Sequence, residues 1–164
     1  MKKNAGFSLL EAMVAVAIIA ILAAMAIPSY MTKIVREQIE KAMPLVAETA
    51  QPAVTIAWRT NQIFPADNVA AGLPIPEKIV NNFIQSVAVE NGAIHMTFGN
   101  RAHSAIKGKI LTMRPAVIED SPIVPITWVC GFATPPGQMV VKGGNRTTVD
   151  PQYLPALCRK PSKP

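Results

Sequence analysis

The sequence predicts an α+β fold in which one long N-terminal helix packs against a four-stranded antiparallel sheet. An unbroken apolar run, residues 12–27, lies near the start of the chain and has the composition of a membrane-spanning helix. Farther on, segments that alternate between apolar and polar residues flank Asn91-Gly92, a pair typical of a tight hairpin turn. Most of the fifteen prolines follow Pro44, which favours short strands and loops over further helices.

The N-terminal helix is predicted to run from residue 7 to residue 59. Its first part, 7–27, would be a helix of about 31 Å, close to the hydrocarbon thickness of a bilayer, which is about 30 Å. From Val46 onward apolar residues recur every three or four positions, so that one face can pack on a sheet. Pro44 and Pro52 interrupt this pattern, and two or three separate helices are therefore the alternative.

Four strands are predicted after this helix. Ser86–Glu90 and Ala93–Phe98 form a hairpin, residues 109–115 alternate as a half-buried strand does, and residues 123–132 form the fourth strand. Four successive strands after a long helix favour an antiparallel meander packed on that helix.

The two cysteines, Cys130 and Cys158, are 28 residues apart, a spacing that matches neither a zinc site nor a CxxC redox motif. If this part of the chain lies outside the cytoplasm, the simplest interpretation is one disulfide, which would stabilise the fold by roughly 3–4 kcal/mol. Two buried free thiols are the alternative.

The N-terminus combines a short basic segment with the apolar run, as a secretory signal peptide also does. Two features differ from a signal peptide. Gly6 lies directly before the apolar stretch, so a cut there would remove only the basic segment. Glu11 places a carboxylate at the edge of the apolar stretch, where a charge is costly and usually functional. Lys2 and Lys3 favour a cytoplasmic location for the start of the chain.

Residues 6–11, with the sequence GFSLLE, and the apolar run up to Pro28 resemble the N-terminal signature of type IV pilins. The resemblance implies that a prepilin peptidase cuts after Gly6 and methylates the new N-terminal residue, Phe7. It also implies that Glu11 acts in assembly and that Pro28 kinks the helix. A plain membrane anchor, in which Glu11 has no role, is the alternative.

The resemblance extends to the rest of the chain. The loop 61–73 is similar to the segment that follows the long helix in type IVa pilins, with Gln62 where that pattern has glycine. The tail 153–158, YLPALC, is similar to a segment that a disulfide ties to the last strand in that family, which implies a bond between Cys130 and Cys158. Ala20 departs from the family, whose members commonly have glycine there.

The resemblance therefore implies a pilin fold with a disulfide-bound C-terminal loop. Its expected parts are a prepilin leader, 1–6, a long helix, 7–59, and a globular head, 60–164. The first part of the helix, 7–30, is expected to span the membrane before assembly and to polymerise afterwards.

No pattern of catalytic, metal-binding or cofactor-binding residues appears in the sequence. His95 and His103 each lack a second ligand nearby, and a structural or exposed role is expected for His95. Gly143-Gly144 lacks the lysine-serine context of a phosphate loop and is read as a turn. We therefore expect neither enzyme activity, nor a metal, nor a cofactor.

The charge distribution indicates what the surface contacts. The formal charge of +6 becomes +4 once Lys2 and Lys3 are removed, and nine bases stand against three acids from residue 101 onward. Such a surface would attract DNA phosphates or acidic host surfaces. The candidate contact residues for a polyanion are Lys107, Lys109, Lys142 and Arg146. A mixed-sign face that only keeps a filament soluble is the alternative.

The resemblance implies a structural pilus subunit that serves adhesion, twitching motility and DNA uptake. Its expected partners are further copies of the subunit, the prepilin peptidase and an inner-membrane assembly platform, with DNA or a host surface beyond them. The precursor is expected in the inner membrane and the product in an extracellular pilus. The alternatives are a minor or DNA-binding receptor pilin, a type II secretion pseudopilin, and, from another class, a membrane-tethered periplasmic domain.

Overall fold

The structure, a computed structural model, describes residues 7–119, 121 and 123–161. The chain divides into two compact units, residues 1–34 and 35–164. Helix α1, Leu9–Glu48, begins in the first unit and ends in the second. Helix α2, Ala50–Asn61, follows after a single residue.

The break between α1 and α2 lies at Thr49 and has a local cause. Pro52 has no N–H to donate to the carbonyl of Glu48, so the regular hydrogen-bond ladder is interrupted there. At the same place the N–H and the hydroxyl of Thr49 both donate to the carbonyl of Leu45, at 3.1 and 2.5 Å. Pro44 lies inside α1 without ending it. The structure therefore lies between the single long helix predicted from the sequence and the alternative of separate helices. The helix is nearly continuous and has one interruption.

The sheet has five strands: β1, Ile84–Glu90; β2, Ala93–Phe98; β3, Ile110–Val117; β4, Thr127–Cys130; and β5, Val140–Val141. The first four form the predicted antiparallel meander in the order β1-β2-β3-β4. The short strand β5, which the sequence did not predict, pairs with the end of β3. Two 3-10 turns complete the elements, Pro76–Lys78 and Ala156–Cys158.

The predicted hairpin turn at Asn91-Gly92 is confirmed. Both residues have positive φ, 48° and 82°, as a two-residue hairpin loop requires. Glycine is needed at the second position for another reason as well, since a Cβ on Gly92 would lie 2.6 Å from the ring of Phe64. The turn therefore fixes both the strand register and the place where the loop after α2 crosses the sheet.

The core of the second unit lies between the helices and one face of the sheet. The helix residues that contribute to it follow a three-to-four spacing and are almost completely buried: Val35, Ile39, Ala42, Val46, Ala50 and Val54. From β2, Ile94, Met96 and Phe98 alternate into the same core. This spacing confirms the predicted packing of an amphipathic helix face on the sheet.

The end of α2 explains one departure from the family pattern. Gln62 has φ +57° and its N–H bonds to the carbonyl of Trp58 at 2.8 Å, so it closes the helix in the left-handed conformation. Glycine adopts that conformation without steric cost. The left-handed conformation at position 62 therefore explains why glycine is favoured there. Gln62 adopts the same conformation with some backbone strain.

The loop after α2 is attached to the free edge of the sheet through one buried side chain. The Asn68 amide donates to the carbonyls of Pro74 and Val87 at 2.8 and 3.0 Å. It accepts the N–H of Val89 at 2.6 Å. Asn68 thus replaces the neighbouring strand that β1 lacks on this side, which protects an exposed edge from other pairing.

The predicted disulfide between Cys130 and Cys158 is present and buried. It joins β4 to the C-terminal 3-10 turn, and Phe132 N–H also bonds to the carbonyl of Cys158 at 2.9 Å. The tail is thus held at its end by a covalent bond and a backbone hydrogen bond. The entropic stabilisation expected for a loop of this length is about 3–4 kcal/mol.

Replacing Asn68 with alanine should lower the free energy of unfolding by about 1–3 kcal/mol, because the Val89 N–H and the Val87 carbonyl would lose a buried partner. Urea unfolding of the full chain in detergent, followed by tryptophan fluorescence, measures the change. Asn82→Ala is the matched control, since Asn82 is exposed, and should shift stability by less than about 0.5 kcal/mol. Equal midpoints for Asn68→Ala and wild type would contradict this role.

Candidate assembly site

The first unit exposes an extended apolar helix surface. Phe7, Leu9 and Met13 are 74%, 80% and 66% exposed. The other large apolar side chains exposed on this segment are Leu10, Val14, Val16, Ile18, Ile19, Ile21, Leu22 and Met25. Such a surface must be covered by lipid or by other chains, because soluble proteins rarely expose contiguous apolar patches of this extent.

By length and composition, the helical stretch qualifies as a candidate membrane span. Its best window of 18 residues has a mean hydropathy of 2.6, and none of that window is buried inside the protein. A cleaved signal sequence near an N-terminus would pass the same test. The apolar composition therefore shows only that this surface is unfavourable in water. The polar residues at the start of the helix, Ser8 and Glu11, distinguish between its possible uses.

The start of α1 is closed by a reciprocal pair of hydrogen bonds between Ser8 and Glu11. The Glu11 N–H donates to the Ser8 hydroxyl at 3.2 Å, and the Ser8 N–H donates to the Glu11 carboxylate at 3.0 Å. Ser8 is the N-cap of α1, which begins at Leu9, and Glu11 is its third helical residue. This is a capping box, which satisfies two N–H groups that the first helical turn leaves without intrahelical partners.

The capping box gives Glu11 a function that the sequence interpretation overlooked. The pattern Ser-x-x-Glu before an apolar run predicts a capping box. The prediction from the sequence considered only the charge of the carboxylate. The structure shows that one carboxylate oxygen, Oε2, is bonded within its own subunit. The other oxygen, Oε1, accepts no hydrogen bond from the part of the chain that the structure describes, and is therefore available to a cation from outside.

The remaining residues predicted for this site are placed as follows. Phe7 immediately precedes the capping box and is exposed. Pro28 lies within α1. The predicted cleavage residue, Gly6, lies outside the described residues.

The four bases predicted to contact a polyanion lie in two different settings. Lys142 and Arg146 are each 2.6 Å from a carboxylate, that of Glu119 and that of Glu90 respectively. Lys107 and Lys109 are exposed in the loop between β2 and β3, where the described residues include no acid within ion-pair distance of them. The basic C-terminal half is thus not one uniform patch.

A buried polar cluster lies on the side of the sheet opposite the helices. His95 Nδ1 is 3.0 Å from the Thr112 hydroxyl, which also accepts the N–H of Arg146 at 3.0 Å. The Glu90 carboxylate, which pairs with Arg146, lies 3.4 Å from His95 Nε2, longer than a hydrogen bond. These contacts fasten the C-terminal segment across β2 and β3, because that segment carries Arg146.

The pKa of His95 is lowered from its ordinary value of 6.5, first by burial and then by the positive charge of Arg146. The Glu90 carboxylate opposes this shift. A neutral imidazole is consistent with a structural role for His95. Among the described residues, no group of three or more metal-binding side chains occurs.

An apolar groove of about 550 Å³ lies between the helix segment of the second unit and the disulfide-bound tail. Met43 and Pro44 form one side, and Leu157, which is 80% exposed, forms part of the other. Glu40 and Glu48 also line the groove, whose exposed surface is mostly apolar.

Comparison with known proteins identifies the family. A family model described as pilin (bacterial filament) matches residues 35–159, and the prokaryotic N-terminal methylation motif matches residues 1–27. The chain therefore belongs to the pilin family.

Within that family the chain is similar to type IV major pilins and to a fimbrial protein over nearly its whole length. The type IV major pilin protein PilE of Neisseria gonorrhoeae is 32% identical over 166 residues, which cover 94% of this chain and 93% of that protein. The fimbrial protein EcpC of Eikenella corrodens is 32% identical over 162 residues, 97% of this chain and 93% of that one. The type IV major fimbrial protein FimA of Dichelobacter nodosus is 30% identical over 176 residues, with 94% and 96% covered.

The His95 cluster predicts that stability falls as the solution becomes acidic. Because the folded-state pKa is below 6.5, the unfolded chain binds the proton more readily, and stability is lost as pH falls through 6.5 towards the folded-state value. Urea midpoints of the full chain in detergent, measured at about pH 8 and about pH 5, report this loss.

The matched variant is His95→Gln, which keeps a polar side chain but cannot titrate. Carboxylates that do not contact His95 contribute the same acid loss to both proteins, so the difference between them reports His95 together with its contact to Glu90. The variant should show a smaller drop between the two pH values than wild type. An identical drop would show that His95 does not carry the effect.

Proposed function

We propose that this pilin is made as a membrane-held precursor, is cut after Gly6 and methylated at Phe7, and then polymerises through the first part of α1 into a type IV pilus. Membership of the pilin family and the match to the methylation motif support this proposal. The single structural observation that carries it is the Glu11 carboxylate at the start of an exposed apolar helix. One of its oxygens accepts the Ser8 N–H and the other is available to a partner.

The chemistry of assembly follows from this arrangement. Cleavage after Gly6 would give Phe7 a free amine, which is a cation beside apolar surface. The Glu11 carboxylate of a neighbouring copy would supply the opposite charge. Each charge is costly alone in an apolar filament core and much less so as a hydrogen-bonded pair. Burial of large apolar side chains, each worth about 1.5–3 kcal/mol, would supply the cohesion, while the ion pair would set the axial register.

The second unit would form the outer part of the filament. Its disulfide suits an oxidising compartment, which is consistent with a precursor in the inner membrane whose head faces the periplasm. The prepilin peptidase and the inner-membrane assembly platform would be its partners before assembly. The finished extracellular pilus would serve adhesion, twitching motility and DNA uptake. Fibre abundance separates a major subunit, which would dominate purified fibres, from a minor or receptor pilin.

Glu11→Gln tests the proposal most sharply, because glutamine can complete a capping box but carries no charge. We expect filament yield to fall at least about tenfold, the equivalent of about 1.4 kcal/mol, since the amine of Phe7 would lose its charged partner. Sheared filaments are quantified against total subunit by immunoblotting, and a mass spectrum showing a chain that begins at methylated Phe7 confirms processing.

Ser8→Ala is the matched control. It removes the other half of the capping box and should cost the helix about 1 kcal/mol while leaving the carboxylate in place, so filaments should still form. Normal filament yield from Glu11→Gln would refute the charge-pairing role. A loss confined to Ser8→Ala would assign the defect to helix capping instead.

A further inference from the structure

The loop between β2 and β3, Gly99–Lys109, carries a set of bases that assembly through α1 does not use. We call it the basic loop. Arg101, Lys107 and Lys109 are all exposed, and the segment contains no acidic residue. None of the three lies within ion-pair distance of an acid in the part of the chain that the structure describes. Asp150 lines the same shallow groove as Lys109 without pairing with it.

The basic loop is held firmly, so its charges are presented on a fixed backbone. Ala102 and Ile106 are buried and anchor it to the core. Backbone hydrogen bonds join Phe98 N–H to the carbonyl of Lys109 at 2.9 Å and Gly108 N–H to the carbonyl of Phe98 at 2.8 Å. Little conformational entropy of the backbone would therefore be lost when the loop binds a partner.

The position of the loop along the helix limits its distance from a membrane. The N–H of His103 bonds to the side chain of Gln38 at 2.8 Å. Gln38 is eleven residues beyond Ile27, where the apolar run ends, a span of at most about 16 Å as helix. This limit follows from the helix α1, which is continuous between the two residues.

The dimensions of a bilayer bring the loop within reach of its surface. The headgroup region adds about 5–7 Å on each side of the hydrocarbon core, and the field of surface charge persists for about 8 Å more at physiological salt. The long side chains of the basic loop extend farther than its backbone, which is bonded to Gln38 at His103. If Ile27 marks the edge of the hydrocarbon core, Gln38, to which the loop is bonded, therefore lies no more than about 16 Å from that edge, close to the outer limit of this field.

We propose that the basic loop binds anionic phospholipid headgroups of the membrane that holds the precursor, through Arg101, Lys107 and Lys109. This rests on the proposed function only in that α1 spans a membrane before assembly. Basic residues beside a membrane span are attracted to anionic headgroups additively, and three unpaired charges on a fixed loop fit that chemistry. The contact would hold the head at the membrane surface until the subunit is extracted.

A nucleic acid is the less suitable partner for the same phosphate-binding chemistry. Lys142 and Arg146, the other predicted contacts, are each engaged by a carboxylate. The basic loop itself contributes three bases. Three charges on one loop suit a headgroup layer close to the span better than an extended phosphate backbone.

The test uses the full chain reconstituted into vesicles of phosphatidylcholine, with or without phosphatidylglycerol. A membrane-impermeant acetylating reagent reports the accessibility of each lysine by mass spectrometry. Lys107 and Lys109 should be acetylated at least about threefold more slowly in the anionic vesicles, and high salt should abolish the difference. Lys78 and Lys160, which are also exposed, are internal controls and should change less.

Arg101→Gln and Arg59→Gln form a matched pair, since both arginines are exposed and each change removes one charge. Arg101→Gln should weaken the protection of Lys107 and Lys109, and Arg59→Gln should not. Equal labelling in both vesicle types, or equal slowing at all four lysines, would overturn the proposal. Equal protection by double-stranded DNA added to neutral vesicles at the same salt would reassign the loop to nucleic acid.

The outcome is separable from that of the proposed function. A chain that is processed at Phe7 and forms filaments, but whose loop lysines show no lipid protection, refutes only the lipid contact. A chain that keeps its first six residues and forms no filaments refutes the assembly proposal, whatever the labelling shows.

Discussion

The exposed apolar surface of α1, from Leu9 to Met25, is the constraint on which the rest of the chain depends. None of its residues is buried, so this surface can leave water only by entering a membrane or by packing against other copies. Under the proposed function it does both in succession. The Ser8–Glu11 capping box fits that proposal, because it stabilises the helix while leaving one carboxylate oxygen for a partner.

The second unit is held together by more than its apolar core. Three further attachments contribute: Asn68 on the edge of β1, the Cys130–Cys158 bond, and the contacts of His95 under the C-terminal segment. Each attaches a loop to the sheet at a different place. Together they attach the long proline-rich loops to the sheet. A small core alone would stabilise such loops less well.

Much of this could be predicted from the sequence, because strong local signals determine it. Asn91-Gly92 fixed the hairpin, and the spacing of Val46, Ala50 and Val54 marked the buried helix face. The rest depends on contacts between distant residues that carry no local pattern. The salt bridges that neutralise Lys142 and Arg146 join residues 23 and 56 positions apart, and strand β5 forms only because β3 offers it an edge. The capping box also has a local pattern in the sequence, Ser8-x-x-Glu11. It was missed because a carboxylate beside an apolar segment indicates a charge interaction first.

Within its own subunit the Glu11 carboxylate is bonded to the Ser8 N–H, and on assembly we expect it to gain a charged partner in the next subunit. A structure of the assembled fibre at side-chain resolution would show this pair. The Glu11 carboxylate should lie within about 3 Å of the Phe7 amine of a neighbouring copy, the distance of a charge-assisted hydrogen bond. A fibre in which Glu11 contacts only Ser8 of its own chain, with no cation beside it, would refute the pairing.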